Sequence, residues 1–224
     1  MDKEQFKKAL DVVKKNSPKR KFEQRYDLII NLKDLDLKVP EQQVEAWVPL
    51  PHPSGKEVKV CALVGGELVE QAKKTCHKVI VNDEFKQYAG DKKKIKKIAA
   101  EFDYFIAQVT MMADVAKTFG RFFGPRGKMP NPKAGCVVPP NANLSQLVDR
   151  LKKTVHIAAK TQTSIKCAIG KESLSDDNVI DNILAVYSTV VHALPTEEGN
   201  IKSVLLKLTM GAPVRVGTQE KKAE

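Results

Sequence analysis

Apolar and polar residues alternate along the beginning of the chain and along its last third. In residues 22–33 the even positions carry mainly apolar side chains and the odd positions mainly charged ones. A period of two with one polar face predicts a strand of an antiparallel sheet that has one side in water. Residues 44–50, 154–159, 164–169 and 200–210 are predicted to be further strands.

Two amphipathic helices are predicted beside these strands. Residues 3–14 place apolar side chains on one helical face, with Asp2 as the N-cap and Gln5 as its capping-box partner. A longer helix over residues 175–194 begins at the N-cap Ser175. Each helix has one apolar stripe, so each is expected to pack on a sheet.

The two ends of the chain are predicted to fold together. The first strand needs antiparallel partners, and they are most easily found in the last third of the chain. We therefore expect a split α+β domain, an antiparallel sheet with two helices, from residues 1–56 and 154–224. It should end in a frayed tail over residues 217–224, and the chain crossings near Pro53 and Lys153 should form a hinge.

The middle of the chain follows a different pattern, in which short apolar runs alternate with helical segments. The predicted strands are residues 58–64, 78–81 and 103–109, and the predicted helices are residues 67–75, 83–88, 91–101 and 111–119. Nearly continuous apolar strands are typical of a parallel sheet buried on both faces. Residues 57–153 are therefore predicted to form an inserted Rossmann-like α/β domain.

The composition indicates a folded protein with a polyanionic partner. The chain has 42% hydrophobic and 29% charged residues, and its net charge of +11 favours a polyanion as partner. Its four cysteines are scattered without a C-x-x-C pair, which favours reduced thiols in a cytosolic protein. We expect no membrane span, metal, cofactor or catalytic residue, because the chain has no segment or motif for any of them.

The stretch from Phe119 to Leu144 is dense in glycine and proline, and all its charges are positive. This density excludes a helix or strand interior and predicts a shaped loop. Its cations are Arg121, Arg126, Lys128 and Lys133. A stiff basic loop suits a polyanion, whereas composition alone also allows a solvated linker. Two other basic runs, Lys19–Lys21 and Lys92–Lys97, are more simply explained as solvated surface, with contact to RNA phosphates as the alternative.

The last predicted strand carries polar residues on one face. Ser203, Lys207 and Thr209 alternate with apolar neighbours, so a regular strand would expose all three together. Hydroxyl groups there can reach ribose, and Gly211 would let an RNA backbone approach closely. A polar solvent face is the alternative.

Three motifs, in chain order, resemble those of one family. KFEQRYDLIINL, GPRGKMPNPKAG and KLTMGAP are similar to the first strand, the signature loop and the closing motif of the large-subunit ribosomal protein one family, which builds the mobile stalk. The Lys at 128 and the following PPNANL resemble the archaeal form more than the bacterial one.

The resemblance implies a non-enzymatic, cytoplasmic, structural constituent of the large ribosomal subunit that is monomeric when free. It implies an rRNA site in the split domain, formed by Phe22, Gln24, Arg25, Ser203, Lys207, Thr209, Met210 and Gly211. Two departures from the family pattern stand at this site. Arg25 replaces a common small hydroxyl residue, and Ala212 separates the Thr-Met-Gly from Pro213.

The resemblance also implies further partners. The basic loop, with Arg121, Arg126, Lys128 and Lys133, is expected to face exit-site tRNA or to make a secondary RNA contact. The protein is expected to help release deacylated tRNA and to repress translation by binding its own mRNA. The alternatives are a free-standing RNA-binding regulator, or a metabolic enzyme that binds a nucleotide at Gly65-Gly66, where the full glycine fingerprint is missing.

Overall fold

The computed structural model describes residues 2–217. Apart from Gly217, the predicted frayed tail over residues 217–224 lies outside the described residues. The helices are α1 (Lys3–Asn16), α2 (Val69–Thr75), α3 (Asn82–Gly90), α4 (Lys92–Glu101), α5 (Met112–Phe123), α6 (Leu144–Lys153) and α7 (Asp176–Ala193). The strands are β1 (Arg25–Leu32), β2 (Val44–Pro49), β3 (Val60–Val64), β4 (Lys78–Val81), β5 (Tyr104–Gln108), β6 (Val137–Val138), β7 (Thr154–Ala159), β8 (Ser164–Lys171), β9 (Ile201–Leu208) and β10 (Val214–Arg215).

The chain forms two compact units. The split unit consists of the segment that ends at Gly55 and the segment that starts at Lys153, and the inserted unit is Lys56–Lys152. The split unit contains an antiparallel sheet in the order β10-β9-β1-β8 and a separate pair, β2-β7. The inserted unit contains a parallel sheet in the order β4-β3-β5-β6. These sheets confirm the predicted fold class.

Strand β1 organises the split unit because it pairs with β8 on one side and β9 on the other. Its even-numbered side chains, Tyr26 to Leu32, are at most 3% exposed. Helices α1 and α7 pack with this buried face, and the Phe6 and Tyr187 rings meet edge to face at 5.9 Å. Each large apolar side chain buried there contributes roughly 1.5–3 kcal/mol to stability.

The antiparallel strands depart from the sequence prediction in two ways. Strands β2 and β7 pair with each other and form a second sheet, whereas one antiparallel sheet was predicted. A short strand, β10, follows Pro213 and pairs with β9, where the sequence predicted only the end of the last strand. Two residues are too few for a period of two to be recognised, so the sequence carried no signal for β10.

The glycine- and proline-rich stretch is not entirely a loop, which corrects the prediction for its two ends. Helix α5 continues through Gly120 to Phe123, and Val137–Val138 forms β6 beside β5. The ring of Phe123 lies 4.1 Å from that of Phe105 and 5.2 Å from that of Phe119. Burial of these rings outweighs the cost of about 1 kcal/mol for a glycine inside a helix.

Between α5 and β6 the stretch is shaped by two glycines, as its composition predicts. Gly127 and Gly135 have φ values of 64° and 73°, in the left-handed region that favours glycine. Each ends a single turn of 3-10 helix that has a proline near its start. The loop therefore has a defined backbone path.

A buried asparagine fastens the segment that leaves the split unit. Asn182 of α7 is 0% exposed. Its Oδ1 accepts the His52 N–H at 3.0 Å, and its Nδ2 donates to the carbonyls of His52 and Ile169 at 3.1 and 2.8 Å. Asn182 thus holds the segment before Gly55 against α7 and β8.

Replacing Asn182 tests this anchor. We expect Asn182→Leu to lower the free energy of unfolding by about 2–3 kcal/mol, because buried backbone groups lose their partners. Urea denaturation followed by circular dichroism measures the loss. Asn178→Leu, the same change at a half-exposed position on α7, should cost less than about 0.5 kcal/mol. Equal losses in the two variants would mean that the hydrogen bonds contribute nothing specific.

Candidate nucleic-acid interface

The antiparallel sheet β10-β9-β1-β8 has one face covered by α1 and α7, and its other face is polar and partly open. The half-exposed residues of this face are Arg25, Asp27, Ile29 and Asn31 on β1 and Ser203, Leu205 and Lys207 on β9, and exposed Thr209 follows them. The neighbours Val204, Leu206 and Leu208 are buried, so Ser203, Lys207 and Thr209 share one face as the alternation predicts. The register pairs Asn31 with Ser203 and Asp27 with Lys207.

Cross-strand contacts fix the polar groups of this face. Asn31 Nδ2 donates to Ser203 Oγ at 2.9 Å. The Thr209 N–H donates to the Arg25 carbonyl at 3.0 Å. Thr209 Oγ1 also accepts the Arg25 N–H at 3.2 Å and donates to the Arg25 carbonyl at 3.3 Å. The hydroxyl of Thr209 is therefore oriented by the backbone of β1, which leaves one lone pair for another donor.

The buried side chain of Gln24 forms hydrogen bonds with the turn after β9 and with the segment after α1. It is only 1% exposed. Its Nε2 donates to the Pro18 carbonyl at 3.3 Å, and its Oε1 accepts the Met210 N–H at 3.2 Å. The structure thus places Gln24 inside the site, where it connects the segment after α1 to the Thr209–Gly211 turn. It positions its neighbours rather than presenting an exposed group.

Two large apolar side chains are exposed beside this connection. Phe22 and Met210 are 54% and 56% exposed. Phe22 lies two residues before Gln24, and Gln24 binds the N–H of Met210. An exposed ring can stack on an unpaired base, and an exposed thioether adds adaptable apolar contact. Apolar and hydroxyl groups therefore occur together at one end of the sheet.

Gly211 is required by a close approach within the site. A Cβ at this position would lie 2.3 Å from Ser17 Oγ and 3.5 Å from Leu208 Cβ. Ser17 Oγ is buried and has no hydrogen-bond partner within residues 2–217. The short segment after α1 and the turn after β9 therefore touch here, and a side chain at position 211 requires the Ser17 hydroxyl to move.

We expect Gly211→Ala to destabilise the protein by about 1–3 kcal/mol, because the added methyl group overpacks this contact. The loss should be smaller when Ser17→Ala is introduced as well, since the nearest atom is then removed. Thermal unfolding of the two single variants and the double variant measures this coupling. Additive losses would mean that Ser17 is not the residue that excludes a side chain at position 211.

Asp27 is an acidic residue in the middle of the open face. Partial burial raises the pKa of its carboxyl above the usual value, and nearby Lys207 and Arg25 only partly reverse this effect. An aspartate whose pKa is raised by folding destabilises the folded state when it ionises. Such groups often mark functional surfaces, because they cost stability.

Asp27→Asn should therefore raise the melting temperature at pH 7. The difference should shrink as the pH falls through the folded-state pKa of Asp27, and it should vanish below the unfolded-state pKa, where both proteins carry a neutral side chain. Thermal scans across this pH range measure it, with Asp11→Asn on the exposed face of α1 as the control. A lower melting temperature at pH 7 would indicate that Asp27 and Lys207 form a stabilising ion pair.

The predicted cations of the inserted unit have two different environments. Arg121 and Lys133 are exposed. Exposed Arg126 donates from Nη1 to the Lys96 carbonyl at 3.1 Å. Half-buried Lys128 donates from Nζ to the carbonyls of Ala99 and Phe102 at 2.9 and 2.6 Å, and burial lowers the pKa of its ammonium. Lys128 therefore caps the end of α4.

The strand-to-helix turn at Gly65 is occupied by a side chain. Gln108, at the end of β5, is 5% exposed, and its Oε1 accepts the Gly65 N–H at 2.9 Å. In a parallel sheet, ligands bind beyond the carboxyl ends of the strands. The Gly65 N–H already donates to Gln108, so it is not free to bind a phosphate, which favours a tight turn over a nucleotide site.

Neither a metal cluster nor a membrane span is found in the described chain. No group of three or more His, Cys, Asp or Glu side chains in residues 2–217 is placed to hold a metal ion. No helix over the same residues is both long and apolar enough to cross a bilayer.

Sequence reasoning missed several residues of the open face. Asn31 binds Ser203, Asp27 faces Lys207, and Ser17 approaches Gly211. Asn31 and Asp27 lie at odd positions of β1, so its alternation already placed them on the wet face. Ser17 follows a helix end and carried no such signal.

The fold defines a class of two-unit proteins in which a parallel α/β unit interrupts an α+β unit. Residues 13–212 match the model of the Ribosomal protein L1p/L10e family. The chain therefore belongs to this family, which confirms the resemblance. It is a family of structural, non-enzymatic proteins, so the chain is not an enzyme.

Similar proteins come from archaea. One is the "Large ribosomal subunit protein uL1" of Methanothermococcus thermolithotrophicus, 43% identical over 96% of this chain and 99% of its own length. The protein of the same name from Hyperthermus butylicus is 39% identical over 94% of this chain and 93% of its own. That from Methanocaldococcus jannaschii is 36% identical over 99% of both chains. The archaeal form predicted from Lys128 and PPNANL is thus confirmed.

Proposed function

We propose that the protein is a constituent of the large ribosomal subunit, in the cytoplasm, whose split unit binds stalk rRNA. The observation that carries the proposal is the open sheet face, where the oriented hydroxyl of Ser203 lies on the same strand as Lys207 and the oriented hydroxyl of Thr209 follows directly after that strand. Family membership supports the ribosomal assignment, since the relatives are named as proteins of the large subunit.

The chemistry of this face suits folded RNA. Hydroxyl and amide groups can bind 2′-hydroxyls, and Phe22 and Met210 offer apolar surface to unpaired bases. Lys207 and Arg25 supply positive charge for phosphates. Gly211 keeps the turn free of a side chain, while Gln24 holds the turn in place. RNA is therefore recognised by shape and by hydroxyl contacts, with charge as a smaller contribution.

The inserted unit has a separate role in this proposal. Residues 57–153 face exit-site tRNA or make a secondary RNA contact through Arg121, Arg126, Lys128 and Lys133. Arg121, Arg126 and Lys133 are exposed, as phosphate contacts require, and Lys128 contributes charge while it caps α4. The protein helps release deacylated tRNA as the segments near Pro53 and Lys153 act as a hinge. It also represses translation of its own mRNA by binding a stalk-like element there.

We expect Thr209→Val to weaken binding to an isolated stalk rRNA fragment by about 1–3 kcal/mol, because a hydrogen bond that the RNA would bury at the interface is left unmade. Thr209→Ser, which keeps the hydroxyl, is the matched control. Titrations across a salt series, with an unrelated hairpin of equal length, separate recognition from charge. The stalk fragment should keep most of its advantage as salt rises.

Two outcomes would contradict the proposal. Wild-type affinity in Thr209→Val, with an intact circular dichroism spectrum, would remove Thr209 from the site. Equal and steeply salt-dependent binding of both RNAs would leave only the net charge of +11 as the cause of binding. Lys133→Ala, in the inserted unit, should leave the affinity for the stalk fragment nearly unchanged. A large loss there would reverse the roles of the two units.

A further inference from the structure

Helix α4 carries three of its five lysines at the end where positive charge costs stability. Its sequence is KKKIKKIAAE, with Lys92, Lys93 and Lys94 in the first turn and no basic residue in the last turn. The first turn lies at the positive end of the helix macrodipole, which disfavours cations. A capping aspartate, Asp91, binds the N–H groups of Lys93 and Lys94 and offsets part of this cost.

The lysines of α4 also repel one another. Lys92 and Lys96, and likewise Lys93 and Lys97, are four residues apart, so each pair lies along one side of the helix. All four are exposed, while Ile95 faces the core. Within residues 2–217 the ion pairs of this helix are limited to Lys94 with Asp91. Four cations therefore remain without a carboxylate.

The glycine- and proline-rich loop adds to this charge. Arg126 donates to the Lys96 carbonyl, so its exposed guanidinium is held beside the lysines. Lys128 Nζ binds the carbonyls of Ala99 and Phe102 at the other end of the helix. Two segments separated by about thirty residues in the chain are thereby joined into one basic surface of the inserted unit.

We propose that Lys92, Lys93, Lys96, Lys97 and Arg126 form a binding surface for RNA phosphates. This inference rests on the secondary RNA contact proposed for the inserted unit, which it extends from Arg126 to helix α4, and the surface is separate from the rRNA site in the split unit. We call it the α4 surface. Lysine is depleted in protein–protein interfaces, which favours a polyphosphate over an acidic protein. Lys92 to Lys97 span about 7.5 Å along the helix, enough to follow a phosphate backbone over about two nucleotides. An RNA strand would relieve the repulsion that the free protein tolerates.

The test compares two double variants of the full chain. Lys93→Gln with Lys97→Gln removes two charges from the α4 surface. Lys73→Gln with Lys74→Gln removes two from exposed positions in the last turn of α2 in the same unit. Binding to an RNA hairpin unrelated to the stalk is measured as log K against log salt. We expect the slope of the α4 variant to become less negative by roughly 1.5, about 0.7–0.9 for each lost phosphate contact. The slope of the α2 variant should stay unchanged.

Stability supplies a second readout that moves in the opposite direction. Without RNA, the α4 variant should melt higher than the parent, because a repulsive pair and a first-turn cation are removed. The α2 variant should melt slightly lower, because its lysines lie at the favourable end of their helix.

Equal losses of RNA binding in both variants would overturn the proposal by making net charge the only cause. Equal weakening towards poly-glutamate and RNA in the α4 variant would overturn the assignment to RNA.

Discussion

The split unit depends on the backbone pairing of β1 with β8 and β9. These partners lie more than 130 residues further along the chain, and both ladders are antiparallel. Only this pairing buries Tyr26, Leu28 and Ile30 beneath α1 and α7. It also creates the open face, because a strand with a period of two must present its remaining side chains on the opposite side. Fold and candidate site thus follow from the same hydrogen-bonded register.

Several groups at the two proposed RNA-binding surfaces cost the protein stability. Asp27 is partly buried with a raised pKa, Ser17 Oγ is buried without a partner within the described chain, and three of the five lysines of α4 lie in its first turn, at the positive end of the helix. A sequence selected for stability alone would avoid all three arrangements. Their presence on the open sheet face, beside Gly211 and next to Arg126 fits surfaces that meet an RNA partner.

Much of the architecture was predictable from local pattern. The alternation of residues 22–33 identified β1 and its buried face, and the apolar runs identified the parallel strands of the inserted unit. The prediction failed where local signals were overridden. Phe119 and Phe123 extend α5 through Gly120 because their rings pack with Phe105. Strand β10 was too short to show a period at all.

By itself, the sequence determined the fold class, the family motifs and the face on which Ser203, Lys207 and Thr209 lie. Periodicity and motif order are properties of neighbouring residues, so no tertiary contact was needed to recognise them. Only the tertiary structure decided that Gln24 supports the Met210 turn and that Lys128 caps α4. Their partners lie far away in the chain, and a side chain's hydrogen bonds depend on which elements folding brings beside it.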